Sequence, residues 1–487
     1  MLANFVPPSS DDMLRFSPEI ILSIAGTLLM VLDPFFAKRM PRLFGHISIV
    51  AFIAAIFGAV AANSVAGPAF SNLLIVDGFA TFFRVLVLGI GILTVLLSYL
   101  YLDREKAETS EYHALLLFSV MGQCLMVASN DLIMIFIGLE ISSIASYILA
   151  GYLRDDKRNN ESALKYFLLG SFATAFFLYG VAIVYGLSGS TQLDVIRTKL
   201  NNPDIAMGAI GVAAGLMLVG LSFKISGAPF QVWAPDVYQG APAPVSVFMA
   251  TGPKAAAFAI FLRIFMTAFQ QSANLWEPFI WISALLSMTI GNFGALNQNN
   301  LKRLLAYSSI AHAGYMLVAI AARSELGTSA AMFYLAAYAL MNIGAFAVII
   351  HIAGKGERHL QVEDLAGLGK KQPVTAALMT VFLLSLIGVP LTGGFFGKFY
   401  IFNAALKSNL VWLAVLGLLN SAVAAYYYLR LLVVMYMHEP GEVTQALEPL
   451  TPGLGAALVL PALGTFFLGI MPSAVLAFAR SSAVFGK

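Results

Sequence analysis

The stretch MGAIGVAAGLMLVGLSFKISGAPFQVWAPDVYQG, residues 207–240, decides the fold class. It is largely apolar and longer than the roughly 20 residues with which a helix crosses a bilayer. Lys224 lies inside it, and Gly227-Ala228-Pro229 follows three residues later. Proline removes a helical hydrogen bond, and unpaired backbone groups are tolerated at membrane depth only where they are buried in protein or line a cavity. The stretch therefore predicts a discontinuous membrane helix with a lysine beside its break.

The rest of the chain has the same composition. Of its 487 residues, 59% are hydrophobic and 11% are charged, whereas roughly 25% are charged in an ordinary soluble domain. About fourteen segments reach the length of a membrane span, the first at 18–36 and the last near 454–478. Lys and Arg are concentrated in the loops that follow odd-numbered spans, so the positive-inside rule places both termini outside. We therefore expect an all-α membrane protein with about 14 transmembrane helices.

Two short motifs recur along the chain. Ser142-Ser143-Ile144-Ala145 in the fifth span returns as Ser308-Ser309-Ile310-Ala311 in the tenth, and Gly227-Ala228-Pro229 in the seventh is echoed by Gly388-Val389-Pro390 in the twelfth. Five spans is an odd number, so two five-helix units would have opposite orientations, as in many transporters. The alternative is a chance match in an apolar sequence. The expected divisions are 1–110 (helices 1–3), 111–270 (first inverted repeat, helices 4–8), 271–440 (second inverted repeat, helices 9–13) and 441–487 (helix 14).

Four charged residues lie deep in apolar segments: Glu140 in the fifth span, Lys224 in the seventh, Lys254 in the eighth and Lys398 in the twelfth. Lys254 directly follows Pro253, where we expect a second break in a helix, and Lys398 follows a Gly/Pro-rich break. A charge in hydrocarbon is costly unless it faces a polar interior, so such residues are functional candidates. Burial disfavours the charged form of a lysine and a nearby carboxylate favours it. A carboxylate that moves from about 4 to 8 Å changes the pair energy by about 2 kcal/mol at an effective dielectric near 20. These residues therefore predict proton transfer.

Each candidate also has a simpler interpretation. Glu140 could be a static acid bonded to backbone, and the three deep lysines could snorkel or sit in fixed ion pairs. Lys165 and Lys302 lie near helix ends, so each could instead snorkel to the membrane interface. His312 could extend a proton relay, because a neutral imidazole both donates and accepts, or it could be a satisfied core histidine. The sequence also contains three charged residues whose partners it does not reveal: Arg263, Asp236 and Arg430.

Other chemistry is excluded by what the sequence lacks. Cys124 is the only cysteine and lies in an apolar helix, which rules out an internal disulfide or a CxxC site. The histidines show no metal or haem spacing, and Gly369-Lys370-Lys371 lacks the remainder of a P-loop. The net charge of +3 and the absence of a basic stripe argue against nucleic acid. We expect no cofactor on this chain, so any redox energy must come from another polypeptide.

Several motifs resemble the antiporter-like subunits of respiratory complex I. They are Gly138-Leu139-Glu140, SYILAGY at 146–152, APFQVWAPDVYQGAP at 228–242 and KRLLAYSSI at 302–310. The resemblance extends over most of the chain. Gly252-Pro253-Lys254-Ala255-Ala256, and Lys398 within GFFGKF, are similar to the N-type members of this family rather than to the L or M type.

The resemblance implies a fold of fourteen helices with two inverted five-helix repeats and discontinuous helices 7 and 12. It also implies that Glu140 and Lys224 form a modulating pair, that Lys254 continues a central polar axis and that Lys398 faces the outlet. Further family positions are matched by Lys165, Lys302 and His312.

The function implied is that of a proton-translocating membrane subunit of NADH-quinone oxidoreductase in a bacterial inner membrane, with both termini periplasmic. FMN, iron-sulfur clusters, NADH and quinone would then belong to partner subunits. The expected partners are the M-type antiporter-like subunit, small membrane subunits of the complex and the lipid bilayer. Two rivals remain at this point: a stand-alone Mrp-type cation/proton antiporter, and a scaffold that moves no protons.

Overall fold

The computed structural model describes residues 7–36, 42–107, 109–202 and 205–483. Most of these residues are helical. The helices of the first half are α1 (Ser10–Arg15), α2 (Ser17–Phe36), α3 (Leu43–Asn63), α4 (Gly78–Glu105), α5 (Ser110–Ala128), α6 (Leu132–Ala150), α7 (Lys157–Ser188), α8 (Leu193–Lys199), α9 (Met207–Ile225), α10 (Ala234–Gly240) and α11 (Ala243–Thr267). Those of the second half are α12 (Ala273–Leu296), α13 (Leu301–Ala321), α14 (Glu325–Ala353), α15 (Leu368–Lys371), α16 (Pro373–Ile387), α17 (Gly393–Lys407), α18 (Val411–Met437), α19 (Glu442–Gln445), α20 (Pro452–Ile470) and α21 (Pro472–Ser482).

A few short elements complete the described part of the chain. Three 3-10 helices span Gln270–Ser272, Lys355–Glu357 and Val362–Leu365. Strands β1 (Gly67–Ala69) and β2 (Leu74–Val76) form an antiparallel hairpin between α3 and α4. The sequence did not predict this hairpin, because three-residue strands are too short to show an alternating pattern.

The helices confirm the predicted membrane architecture. Thirteen of those in the described ranges are long and apolar enough to cross a bilayer. The remaining crossing is made by α16 and α17, which have 15 residues each and flank a break. The last predicted segment, 454–478, is divided in the structure, because α20 ends at Ile470 and a separate α21 begins at Pro472.

Both predicted discontinuous helices are present. In the seventh crossing α9 ends at Ile225, Ser226 takes a left-handed conformation with φ 59°, and α10 starts only at Ala234. In the twelfth, α16 ends at Ile387 and Gly388 has φ 95°, a conformation that glycine adopts without the penalty a side chain brings.

The break expected beside Lys254 is wrong. Helix α11 continues from Ala243 through Pro253 to Thr267 without interruption. A proline removes only one hydrogen bond and crowds the preceding turn, and surrounding helices can compensate when the segment is enclosed in protein. All residues of α11 are buried, so the fold encloses it on every side.

Three helices form the buried centre of the protein: α11, α13 and α14, whose residues are nearly all buried. Close backbone contacts fix α13 against α12. A Cβ atom at Gly291 would lie 2.5 Å from the backbone nitrogen of Ala311, and one at Gly314 would lie 2.7 Å from that of Met288. Small residues allow membrane helices to approach this closely, and here they fix the position of the helix that carries Lys302, Ser309 and His312.

Candidate functional site

Lys398 lies on α17 and reaches back to the break that precedes it. Its Nζ donates to the carbonyl oxygens of Leu386 at 3.0 Å and Ile387 at 2.9 Å, and to Ser421 Oγ at 2.8 Å. The last carbonyls of a helix have no donor within the helix and form the negative end of its dipole. The interruption between α16 and α17 therefore supplies the acceptors for a buried ammonium group. The Tyr315 ring also faces it, with its centroid 4.8 Å from Nζ.

His312 is buried among tyrosines. Its Nδ1 lies 2.5 Å from the Tyr334 hydroxyl and its Nε2 lies 3.2 Å from the Tyr428 hydroxyl. The Tyr428 hydroxyl also hydrogen-bonds to Ser308 Oγ. A neutral imidazole has one donor and one acceptor nitrogen, and each hydroxyl can donate or accept. Both ring nitrogens of His312 therefore have a hydroxyl partner in either tautomer.

Lys254 is fully buried and contacts the same helix. Its Nζ donates to Ser309 Oγ at 2.5 Å and to the Ser309 carbonyl oxygen at 3.2 Å. Ser309 directly follows Ser308, which bonds to Tyr428. We call the series Lys254, Ser309, Ser308, Tyr428, His312 and Tyr334 the central chain. The structure thus brings two predicted residues, Lys254 and His312, into one polar series.

Lys224 occupies the last turn of α9, directly before the other break. Its Nζ lies 5.2 Å from the ring centroid of Tyr147 and 5.4 Å from that of Tyr166, which is within the range of cation–π attraction.

The buried Oε1 of Glu140 has no hydrogen-bond partner in the described part of the chain. Burial of an unpaired polar oxygen is unfavourable. Glu140 and Lys224 therefore do not form an ion pair in this structure, and their role as a modulating pair stays a prediction.

Lys302 does not snorkel, so that alternative is wrong. It is fully buried, and its Nζ donates to Glu357 Oε2 at 2.7 Å and to the Ala241 carbonyl at 2.5 Å. The second carboxylate oxygen, Glu357 Oε1, accepts from the backbone N–H of Ala243 at 2.7 Å. The loop that carries Glu357 thus folds over the start of α13 and removes Lys302 from the interface.

Lys165 has the placement that snorkelling predicts. Its side chain is 40% exposed and pairs with Glu161 at 2.7 Å and with Asp236 at 2.9 Å. Asp236 also binds Arg303 at 2.5 Å. This cluster lies at the ends of α7 and α13, so the structure places Lys165 apart from the central chain.

The other unassigned charges also have partners. Arg263 binds the Asp77 carboxylate through both terminal nitrogens, at 3.1 and 2.9 Å. Arg430 Nη2 donates to Asn299 Oδ1 at 2.7 Å. In the described ranges, no group of three or more His, Cys, Asp or Glu residues could hold a metal ion.

Sequence reasoning missed several residues of the site. Tyr428, Tyr334 and Tyr315 are buried in apolar helices, where a tyrosine that relays protons looks the same as one that only packs. Glu357 lies in a polar loop and gave no signal. The fully buried pair of Glu19 and Arg84, at 2.7 Å, had a readable signal, because each charge interrupts an apolar run.

Comparison with known proteins identifies the family. The model of the family described as NADH:quinone oxidoreductase/Mrp antiporter, TM, matches residues 129–424. The chain is 67% identical over 472 residues to NADH-quinone oxidoreductase subunit N 1 of Solibacter usitatus, covering 97% of both chains. The chain belongs to the subunit N family of NADH-quinone oxidoreductase. A further subunit N, from Trichlorobacter lovleyi, is 45% identical, with 96% of each chain covered.

Solved structures agree with a membrane subunit of respiratory complex I. A chain of respiratory complex I from Thermus thermophilus with bound aureothin superposes with a TM-score of 0.81 at 36% identity, covering 96% of this chain and 99% of that one. A chain of the Mrp complex from Dietzia sp. DQ12-45-1b gives a TM-score of 0.85 at 20% identity, covering 97% of both. The latter similarity shows a shared fold only. The chain is therefore a multi-pass membrane subunit of the complex I type. The higher identity to the complex I chain favours this assignment over an Mrp antiporter.

Proposed function

We propose that this subunit N moves protons across the bacterial inner membrane along the central chain and Lys398, driven by NADH oxidation and quinone reduction in partner subunits. FMN, the iron-sulfur clusters, NADH and quinone are then bound by those partners. The M-type antiporter-like subunit and the small membrane subunits are the proposed neighbours through which the driving change reaches this chain.

One observation carries the proposal: protonatable side chains follow one another through the buried centre of the protein. Lys254 contacts Ser309, the adjacent Ser308 contacts Tyr428, and Tyr428 contacts His312. The Tyr315 ring lies between His312 and Lys398. Its centroid is 5.7 Å from that of the His312 ring and 4.8 Å from Lys398 Nζ.

The two lysines of this path have neutral partners. No described carboxylate lies within 4.0 Å of Lys254 or Lys398, whereas Lys302 is paired with Glu357. Separating a buried ion pair is costly because it leaves an uncompensated charge. An ammonium group held only by hydroxyl and carbonyl oxygens avoids this cost when it gives up its proton, so Lys254 and Lys398 are suited to exchange.

Glu140 and Lys224 act as the modulating pair in this proposal. No ion pair within 4.0 Å joins them: Lys224 lies beside the rings of Tyr147 and Tyr166, and Glu140 Oε1 has no hydrogen-bond partner among the described residues. Approach of the two charges would favour protonated Lys224, and their separation would release the proton toward Lys254. Lys165 and Lys302 lie on the uptake side, and Lys398 faces the outlet.

The organisation follows the same logic. We place the inverted repeats at 111–270 and 271–440, with 1–110 and 441–487 outside them. The breaks α9/α10 and α16/α17 support this division, because each precedes or follows a buried lysine in the corresponding crossing. We also place both termini on the periplasmic side, since basic residues are concentrated in the loops of the opposite face.

The test replaces Lys254 and, separately, Lys398 by Gln in the assembled oxidoreductase. Glutamine can still hydrogen-bond but does not titrate. General acid–base groups contribute roughly 10²- to 10⁴-fold to proton-transfer rates, so we expect NADH-driven proton uptake to fall at least about tenfold, with coupled quinone reduction falling as well. The control is Lys407→Gln, an exposed lysine at the end of the same helix as Lys398.

The outcomes separate the rivals. Wild-type pumping by both Gln variants would support a scaffold and contradict the proposal. A stand-alone Mrp-type antiporter would exchange cations for protons when the purified chain alone is reconstituted into vesicles without NADH or quinone. We expect no such exchange.

A further inference from the structure

A polar cavity of about 630 Å³ lies where the loop between α6 and α7 meets the loop after α14. Its volume is large enough for several water molecules. Charged and polar residues dominate its lining, among them Glu105, Asp156, Arg158, Gln239 and Glu357. The proposed function does not use this cavity.

Glu357 connects the cavity to the buried interior. It lines the cavity, yet its side chain is only 9% exposed. One carboxylate oxygen is 2.7 Å from Lys302 Nζ, and the other is 2.7 Å from the backbone nitrogen of Ala243, the first residue of α11. Lys302 is fully buried and does not line the cavity. Among the described lining residues, Glu357 is the one that contacts Lys302.

The backbone around Glu357 is held in an unusual conformation. Glu357 has φ 50°, and Gly354 and Gly356 on the same loop have φ 66° and 68°. A side chain with positive φ is disfavoured, and such residues cluster at functional sites. Gly356 donates its N–H to Glu105 Oε1 at 2.6 Å, and its carbonyl accepts from Arg158 Nη2 at 3.1 Å. Contacts from α4 and α7 thus fix the loop against the start of α13.

We infer that Glu357 is the proton-transfer residue that passes protons from this cavity to Lys302, an inference that rests on the proposed function. The Glu357 carboxylate takes an excess proton from hydronium in the cavity water, which leaves a neutral water molecule. It transfers that proton to the neutral Lys302 amine, which leaves a carboxylate and an ammonium in contact. As the Lys302 proton moves inward, Glu357 takes another from the cavity, so neither partner is left as an uncompensated buried charge, and Lys302 can accept again. No other reactant is needed.

The position of Lys302 suits this step. Ser309, which binds Lys254, lies seven residues further along α13. Seven residues are two helical turns, so Lys302 and Ser309 share one face, about 10 Å apart. Glu357 therefore lies between the cavity and Lys302, on the face of α13 that also carries Ser309 of the central chain.

Other charged groups surround the pair. Glu105 lies on α4, and Asp156 pairs with Arg158 at 2.7 Å at the start of α7. Tyr101 of α4 lines the same cavity. Among the described residues, none of these groups forms a hydrogen bond or ion pair with Lys302. They would supply protons to Glu357 or change its affinity for a proton, but they could not take its place beside Lys302.

The experiment compares Glu357→Gln and Glu357→Asp in the assembled oxidoreductase. The control is Glu277→Gln, which removes the carboxylate of a partly exposed pair with Arg323, 2.7 Å apart, beyond the opposite end of α13. If Glu357 transfers protons, Gln lowers NADH-driven proton uptake at least about tenfold, whereas Asp retains more activity because it still titrates. The control pumps at the wild-type rate.

A purely structural role predicts the reverse order. Gln has the shape of Glu and keeps one of its two acceptor oxygens, whereas Asp is one methylene shorter and cannot reach both Lys302 and the Ala243 N–H. A result in which Glu357→Gln pumps as well as or better than Glu357→Asp would therefore overturn the inference.

A third variant covers the case in which Gln or Asp disturbs assembly. Glu357→Ala opens space beside Lys302, and millimolar formate added on the cavity side should restore part of its proton uptake. Propanol at the same concentration should not, since it does not titrate. Absence of formate rescue in assembled Glu357→Ala contradicts the inference. Loss of pumping in Lys254→Gln together with normal pumping in Glu357→Gln refutes only this inference, whereas normal pumping in Lys254→Gln refutes the proposed function itself.

Discussion

Replacing Tyr428 by Phe should interrupt the central chain while leaving its packing intact. The Tyr428 hydroxyl is the group that bonds both to Ser308 and to His312. Phe has the same ring, and the position is fully buried, so the substitution removes one oxygen and little else.

The magnitude follows from the geometry of α13. Ser308 and His312 are four residues apart, which is about 6 Å along a helix. A hydrogen bond requires roughly 2.7 to 3.2 Å, so the two groups cannot exchange a proton directly once the hydroxyl is gone. We expect NADH-driven proton uptake to fall at least about tenfold. The unfolding free energy should fall by about 1–3 kcal/mol, because Ser308 and His312 each lose a buried partner.

The neighbouring Tyr427 provides the control. It is equally buried, and its hydroxyl donates to Asn292 Oδ1 at 3.1 Å. Tyr427→Phe should pump within about twofold of wild type, a barrier change well below 1 kcal/mol. The assay is fluorescence quenching of a pH-sensitive dye in inverted vesicles, normalised to NADH oxidised and to assembled complex. Equal rates for the two variants, whether both normal or both low, would refute the reasoning.

Two further predictions concern stability. Gly388→Ala forces a side chain to φ 95° and places a Cβ atom 3.2 Å from Lys398 Cδ. It should lower the unfolding free energy by about 1–2 kcal/mol and also lower proton uptake. The control is Gly186→Ala, whose Cβ atom meets no heavy atom within 4 Å and which should change neither quantity. Thermal unfolding of the purified complex measures both, and equal midpoints would contradict the account. In the buried pair, Glu19→Gln or Arg84→Met alone should cost about 3–5 kcal/mol, and the double variant much less than their sum. A double-mutant cycle on the unfolding midpoint tests this, and additive effects would rule out the pairing.

Local features explain what the sequence determined. Runs of apolar residues specify the membrane helices, because each run must satisfy its backbone hydrogen bonds internally in lipid. Glycine and proline specify the breaks after Ile225 and Ile387, because they interrupt helical backbone hydrogen bonding. Glu140, Lys224, Lys254 and Lys398 could be selected as candidates because a charge inside an apolar run is costly wherever its partner lies.

The tertiary structure decided which groups meet. Lys254 contacts Ser309 and Ser308 contacts Tyr428 across long separations in sequence, and Lys302 is buried only because the loop with Glu357 covers it. Helix α11 continues through Pro253 because other helices enclose it. Local preferences act over a few residues, whereas the partner of a buried group is set by helix packing between distant segments. The sequence alone therefore determined which membrane helices carry charged residues, and the packing of α11, α13 and α14 decided which groups those residues contact.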